Sequence, residues 1–236
     1  MELTPDLLFL GVAWFVVFLF STTLHEASHA FIAYRLGDPT AYHGGQVTLN
    51  PLPHIQREPF GMVVVPLISF FLGGWMFGWA SAPYDPNWSL RHPRRAAWMA
   101  LGGPIANLSL VLVAGLGIRI GLAAGVFTAP QRITFSHVTE PVTMGTMGGV
   151  ATVLSILFTL NLVLFVFNLL PLPPLDGSAV VQLFMGDDLA RRYQMFLHQP
   201  MLSWIGILIA WRFFGPVFGP IHSLALNLLY PGVTYG

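Results

Sequence analysis

Six long stretches without a charged side chain dominate this sequence and limit what it can fold into. They span residues 7–25, 59–84, 96–118, 141–175, 193–211 and 213–236. A helix crosses a bilayer with about 20 apolar residues, whereas irregular backbone exposed to lipid leaves polar groups without partners. In agreement, 55% of the residues are hydrophobic and 8% are charged, as is typical of membrane proteins. The sequence therefore predicts an all-α polytopic membrane protein with about five to six hydrophobic segments.

The segment 59–80 is predicted to return to the side of the membrane on which it starts. It contains Pro66 and the neighbouring glycines Gly73 and Gly74, which allow the chain to bend. Non-helical backbone is tolerated at membrane depth where it is covered by protein or lines a cavity. We therefore expect a re-entrant or shallow segment here.

Two further segments are interrupted by turn-forming residues. The stretch "GGQVTLNP" (44–51) looks extended and predicts a short β-strand or hairpin near 44–50. Such a strand could pair with an extended peptide, although an ordered connecting loop fits the pattern equally well. Near the C-terminus, glycines and prolines interrupt 213–236 and predict only a short helix near 221–230.

Composition also limits the domain organisation and the partners. The 236 residues have no compositional break, which predicts a single integral membrane domain over 1–236. The formal charge is zero and there is no basic run, so nothing indicates a nucleic-acid partner. The absence of cysteine excludes disulfides and thiolate metal sites. The expected partner is the lipid bilayer, and the sequence carries no signal for an oligomeric state.

The first apolar stretch ends in the sequence His25-Glu26-Ala27-Ser28-His29. Residues four apart on a helix point in nearly the same direction, so His25 and His29 can bind one metal ion. In an H-E-x-x-H helix the histidines bind zinc and the glutamate acts as general base. A chance match, with both histidines satisfied by polar neighbours, is the alternative. Ionisable side chains at membrane depth are costly unless they are functional, which favours a zinc site.

A catalytic zinc site usually has three protein ligands and an open position. Asp176 in "PLPPLDG" (171–177) is the best candidate for the third, because it follows the long uncharged run from Pro141. The prolines break the helix there and can present side chains to a cavity. An ordinary interfacial turn is the alternative interpretation.

Together the motifs resemble the site-2 protease family of intramembrane zinc metalloproteases. The residues that carry the resemblance are H-E-A-S-H (25–29), "GGPIANL" (102–108) and "NLLPLPPLDG" (168–177). The stretches "YRLGDPTA", "TLNPLPHI" and "FGWASAP" resemble its small bacterial branch, which lacks PDZ and CBS domains. The resemblance covers roughly residues 20–185.

The resemblance implies a role for each of six residues. His25, His29 and Asp176 would bind one zinc ion per chain, and Glu26 would be the general base. Asn168 would hold the substrate backbone or stabilise the oxyanion, and Asn107 would support the site from close by. The implied activity is hydrolysis of peptide bonds within the transmembrane segments of membrane proteins, as in regulated intramembrane proteolysis.

The motifs also define a topology. The three motifs can meet at one depth only if the segment 59–80 does not cross the membrane. In that topology seven arginines lie on the same side of the membrane as the site. These are Arg35, Arg57, Arg91, Arg94, Arg95, Arg191 and Arg192, whereas Arg119 and Arg132 lie opposite. By the positive-inside rule the site faces the cytoplasm and the N-terminus lies outside, and we expect the bacterial inner membrane.

Two other functions remain compatible with a buried cluster of His, Glu and Asp. A metal-ion or proton transporter uses such groups as a pathway, but it would more readily show internal repeats. A non-catalytic scaffold of the same fold would lack the glutamate or a ligand, and here none is missing.

Overall fold

A computed structural model describes residues 4–143, 145–197, 199–233 and 235. The helices, numbered along the chain, are α1 (Pro5–Leu36), α2 (Thr40–His43), α3 (Leu52–Arg57), α4 (Val65–Gly73), α5 (Pro86–Arg91), α6 (Pro93–Ala123), α7 (Thr146–Asn168), α8 (Asp176–Val180), α9 (Asp187–Leu197) and α10 (Pro200–Leu229). A π-helical turn (Phe60–Val64) leads into α4, and a 3-10 turn (Val181–Phe184) follows α8. The short strands β1 (Phe127–Thr128) and β2 (Glu140–Pro141) pair antiparallel.

Four helices in the described part of the chain, α1, α6, α7 and α10, are long and apolar enough to cross a membrane. With the shorter apolar helix Phe60–Gly73 they make five hydrophobic segments, so the predicted all-α polytopic fold is confirmed. α1 begins with its N-cap Thr4, whose hydroxyl accepts a hydrogen bond from the Leu7 amide. It ends at Gly37, whose φ of 103° lies in the left-handed region that favours glycine.

α1, α6 and α7 pack against one another as a central bundle, and α10 lies beside α6 and α7. One buried cluster joins Trp14 and Phe18 of α1 to Ile156 and Leu160 of α7. The Trp14 indole also donates to Ser136 in the loop between α6 and α7, at 3.0 Å. The carboxyl end of α1, the amino end of α6 and the carboxyl end of α7 therefore lie together at the other end of the bundle.

The segment after α3 turns back alongside itself, which agrees with the predicted re-entrant or shallow segment. The chain runs through Phe60–Gly73 and turns at Gly74, where φ is 75°. It then returns alongside itself, so that the Trp79 amide donates to the Gly61 carbonyl at 3.2 Å. A Cβ atom at Gly61 would overlap the Trp79 carbonyl, which shows how closely the two arms approach. Residues on either side of the excursion consequently share one side of the bundle.

The strand predicted near 44–50 is not formed, and that prediction is wrong. Local hydrogen bonds hold this segment in turns instead. The Gln46 amide donates to the Ala41 carbonyl at 2.9 Å, and the Asn50 amide donates to the Thr48 hydroxyl at 3.1 Å. Such side-chain acceptors compete with strand pairing for the backbone. The two-stranded sheet lies instead in the loop between α6 and α7.

The C-terminal segment also differs from its prediction, because α10 continues through Pro216 and Pro220 to Leu229. A helix broken at membrane depth would expose backbone groups to lipid, whereas neighbouring groups can accommodate a proline within a helix. The expected short helix near 221–230 is therefore the last part of a helix of 30 residues.

Candidate metal centre

Helix α1 places two histidine side chains one turn apart on the face that packs against α6. Both His25 and His29 are buried, at 6% and 7% exposed. Their Nε2 atoms are 2.9 Å apart. The helical spacing thus brings the two nitrogens close enough to share one ion, as the motif predicts.

Asp176 lies opposite these nitrogens, on the first turn of α8. Its Oδ2 atom is 3.1 Å from Nε2 of His25, and its Oδ1 atom is 3.4 Å from Nε2 of His29. The turn before it is fixed by local bonds, among them the Leu175 amide to the Leu172 carbonyl at 2.9 Å. The 146 residues between His29 and Asp176 therefore fold back to complete a cluster of three potential ligands.

Glycines allow the elements around this cluster to approach. A Cβ atom on Gly103 of α6 would overlap Nε2 of both histidines. One on Gly177 would overlap the carbonyls at the end of α7, those of Leu169 and Leu170. The "GGP" and "LDG" motifs therefore bring the backbone of α6 and α8 directly against the site.

The other ring nitrogen of each histidine is held by an acceptor. Nδ1 of His29 lies 2.8 Å from the Met99 carbonyl, and Nδ1 of His25 lies 2.5 Å from Oδ1 of Asn107. A carbonyl oxygen can only accept, so Nδ1 of His29 carries the proton and its Nε2 presents a lone pair. Asn107 thus contacts a candidate ligand, His25.

The donor set fits a divalent cation. Two imidazole nitrogens and a carboxylate are ligands that zinc prefers. The three ligand atoms lie within 4.8 Å of one another, and both carboxylate oxygens of Asp176 face the Nε2 atoms of the histidines. Imidazole lone pairs and a carboxylate facing one another at this distance repel unless a metal ion or a proton lies between them.

A cavity of about 360 Å³ opens beside the cluster. Besides the three potential ligands, it is lined by Glu26, which is 7% exposed, and by Asn168, the last residue of α7. The returning arm of the re-entrant segment contributes Ala80, Ser81 and Ala82. All six residues singled out in the sequence therefore lie in or against one site, with Asn107 behind His25.

The structure adds Asn161, which the sequence analysis did not identify. It is fully buried in α7 and accepts a hydrogen bond from Asn107 at 2.8 Å. The sequence offers a signal for it, because Asn161 is a polar side chain within the apolar run "FTLNLVLFVFN", seven residues before Asn168. Polar side chains inside membrane helices usually face the bundle interior.

Residues 13–209 match the sequence profile described as peptidase family M50. The chain belongs to peptidase family M50. This is the site-2 protease family, so the family predicted from the motifs is confirmed, together with the enzyme class, a site-2-type metalloprotease. No solved structure matches the chain.

Curated relatives agree with this membership. The chain is 33% identical over 168 residues to "Putative zinc metalloprotease YwhC" of Bacillus subtilis, covering 71% of this chain and 66% of that protein. It is 29% identical over 238 residues to "Putative zinc metalloprotease Rip2" of Mycobacterium tuberculosis, covering 95% and 82%. The Mycolicibacterium smegmatis protein of the same name is 31% identical over 185 residues, covering 78% and 62%.

Proposed function

We propose that this M50 member is an intramembrane zinc endopeptidase that hydrolyses peptide bonds in the transmembrane segments of other membrane proteins. One zinc ion would be held by His25, His29 and Asp176. The observation that carries the proposal is the convergence of these three side chains beside Glu26, in a cavity formed where the long helices end.

The chemistry follows from the residues that line the cavity. Bound zinc would polarise the scissile carbonyl and acidify a water molecule. Glu26 accepts a proton from the attacking water and delivers it to the leaving amine, as a general base and then a general acid. Asn168 donates a hydrogen bond from its amide to the oxygen that gains negative charge. Asn107 holds His25 from behind and does not touch the substrate.

The substrate is a membrane-embedded segment that has unwound locally, because the hydrogen bonds of a helix shield its peptide bonds. The returning arm of the re-entrant segment offers a place for it, since this arm is neither helix nor strand and lines the cavity through the small residues Ala80, Ser81 and Ala82. Ser81 is fixed by its hydrogen bond to Glu58 at 2.6 Å. We therefore assign substrate binding to this arm and not to the segment near 44–50, which forms no strand.

The site faces the cytoplasm and the N-terminus lies on the outer side, in a bacterial inner membrane. The distribution of arginine supports this orientation, because seven lie on the side of the site and Arg119 and Arg132 lie on the other. The re-entrant return between Gly61 and Trp79 supports that grouping.

The test combines zinc content with cleavage of single-span peptides by the full chain in detergent. Wild type should hold about one zinc and cut within the apolar segment. Glu26→Gln should keep the zinc and lose activity by about 10²–10⁴-fold, the usual contribution of a general base. Asn168→Ala should keep the zinc and lose about 10²–10³-fold, whereas Asp176→Ala should lose zinc and activity together.

Cleavage by Glu26→Gln at the wild-type rate would refute the mechanism. In that case zinc transport across vesicles containing the wild-type chain would be the next measurement, because a metal pathway uses the same ligands without a general base. Bound zinc with no cleavage of any peptide by wild type would favour the scaffold alternative.

A further inference from the structure

We propose that Asn161 is a positioning residue for the metal centre. It fixes the orientation of the Asn107 amide, and that amide in turn holds His25 with its Nε2 lone pair toward the ion. The inference rests on the proposed zinc site and adds to it a residue that contacts no ligand atom. A series of hydrogen bonds connects the Leu157 backbone carbonyl to His25 through Asn161 and Asn107.

The first step fixes Asn161. Its Nδ2 atom lies 2.8 Å from the Leu157 carbonyl, one turn earlier on α7. A carbonyl oxygen only accepts, so the amino group of Asn161 must face it. The same amino group donates to the Ser21 hydroxyl of α1 at 2.9 Å. Oδ1 of Asn161 is therefore turned toward α6.

The second step fixes Asn107. Because Oδ1 of Asn161 accepts, the amino group of Asn107 must donate to it, over 2.8 Å. Oδ1 of Asn107 then faces Nδ1 of His25, at 2.5 Å. An amide oxygen only accepts, so this Nδ1 carries the proton and Nε2 of His25 presents its lone pair to the ion. The Leu157 carbonyl thus sets which group donates and which accepts in each hydrogen bond from Asn161 to His25.

Because the side chains in this series are buried, the orientation of His25 depends on their hydrogen bonds. Ser21, Asn107 and Asn161 are each 0% exposed, so solvent does not compete for their hydrogen bonds. A reversed Asn107 amide would place its amino group against the proton on Nδ1 of His25. His29 needs no such support, since the Met99 backbone carbonyl holds it directly. His25 is therefore the ligand whose position depends on side chains two steps away.

The experiment is a double-mutant cycle on zinc affinity, measured with the full chain in detergent by competition with a chromogenic chelator at fixed pH. Asn161→Leu removes the anchor and should raise the zinc dissociation constant about tenfold, the lower end of the range for outer partners of a ligand. In an Asn107→Ala background the same substitution should change it less than about twofold, because the amide that Asn161 orients is already absent.

Thr159→Val is the matched control, because Thr159 lies on the same helix, is 0% exposed, and its hydroxyl has no hydrogen-bond partner among the described residues. Its zinc affinity should equal that of wild type. Asn161→Ala replaces the leucine variant if far-ultraviolet circular dichroism shows that the latter does not fold.

Two results would overturn the inference while the proposed function stands. One is wild-type zinc affinity in the Asn161 variant. The other is an equal loss of affinity in both backgrounds, because that would show a packing defect rather than a lost orientation. A wild-type chain that binds no zinc would instead refute the proposed function, and with it the inference.

Discussion

Replacing Gly103 by alanine tests whether the backbone of α6 is held against the two histidines as closely as the structure places it. The added Cβ would overlap Nε2 of both His25 and His29. The same substitution at Gly115, on the same helix, meets only ordinary contacts, the nearest being Cε2 of Phe158 at 3.6 Å. Both substitutions gain the same helix propensity, about 1 kcal/mol. Any difference between the two variants in zinc affinity or stability therefore reports the overlap at Gly103.

The size of the effect follows from overpacking, which costs about 1–3 kcal/mol in a well-packed interior. If the histidines move to relieve the overlap, the cost appears in metal binding. About 1–3 kcal/mol corresponds to roughly a 5- to 150-fold increase in the zinc dissociation constant. Gly115→Ala should leave zinc affinity unchanged and raise the melting temperature slightly, through its helix propensity.

The assay is chelator competition for zinc on both variants and wild type, with thermal melting in detergent as the measure of folding. We expect Gly103→Ala to melt as a folded protein with weakened zinc binding. Equal zinc affinity for Gly103→Ala and wild type would show that α6 does not lie where the structure puts it, and the geometry of the metal centre would have to be revised.

Two further predictions test other parts of the structure. Gly177→Ala should lower zinc affinity as well, because its Cβ would overlap carbonyls at the end of α7 and displace Asp176; unchanged affinity by the same competition assay would argue against this packing. The chain has no native cysteine, so Gln56→Cys, Asn87→Cys and Arg132→Cys can each be labelled alone with an impermeant maleimide in intact cells. The first two should react only after the inner membrane is opened and the third before, and labelling of positions 56 and 87 from opposite sides would refute the re-entrant segment.

Much of the site could be predicted because its motifs are local. The spacing of His25 and His29 fixes their common face once the segment is helical. The re-entrant segment was predictable because the motifs must meet on one side and because arginine distribution separates the two topologies. In contrast, the segment near 44–50 was misjudged, since the bonds of Thr48 and Asn50 to nearby amides compete with strand pairing.

The sequence by itself determined the membrane fold and the candidate ligands on one helix face, because hydrophobic length and helical periodicity are properties of short segments. Only the tertiary structure decided how closely Asp176 approaches the histidines and which residues stand behind them. Asn161 reaches His25 through Asn107 across two helix contacts, and hydrogen-bond direction along such a chain depends on packing between distant segments. No local pattern specifies it.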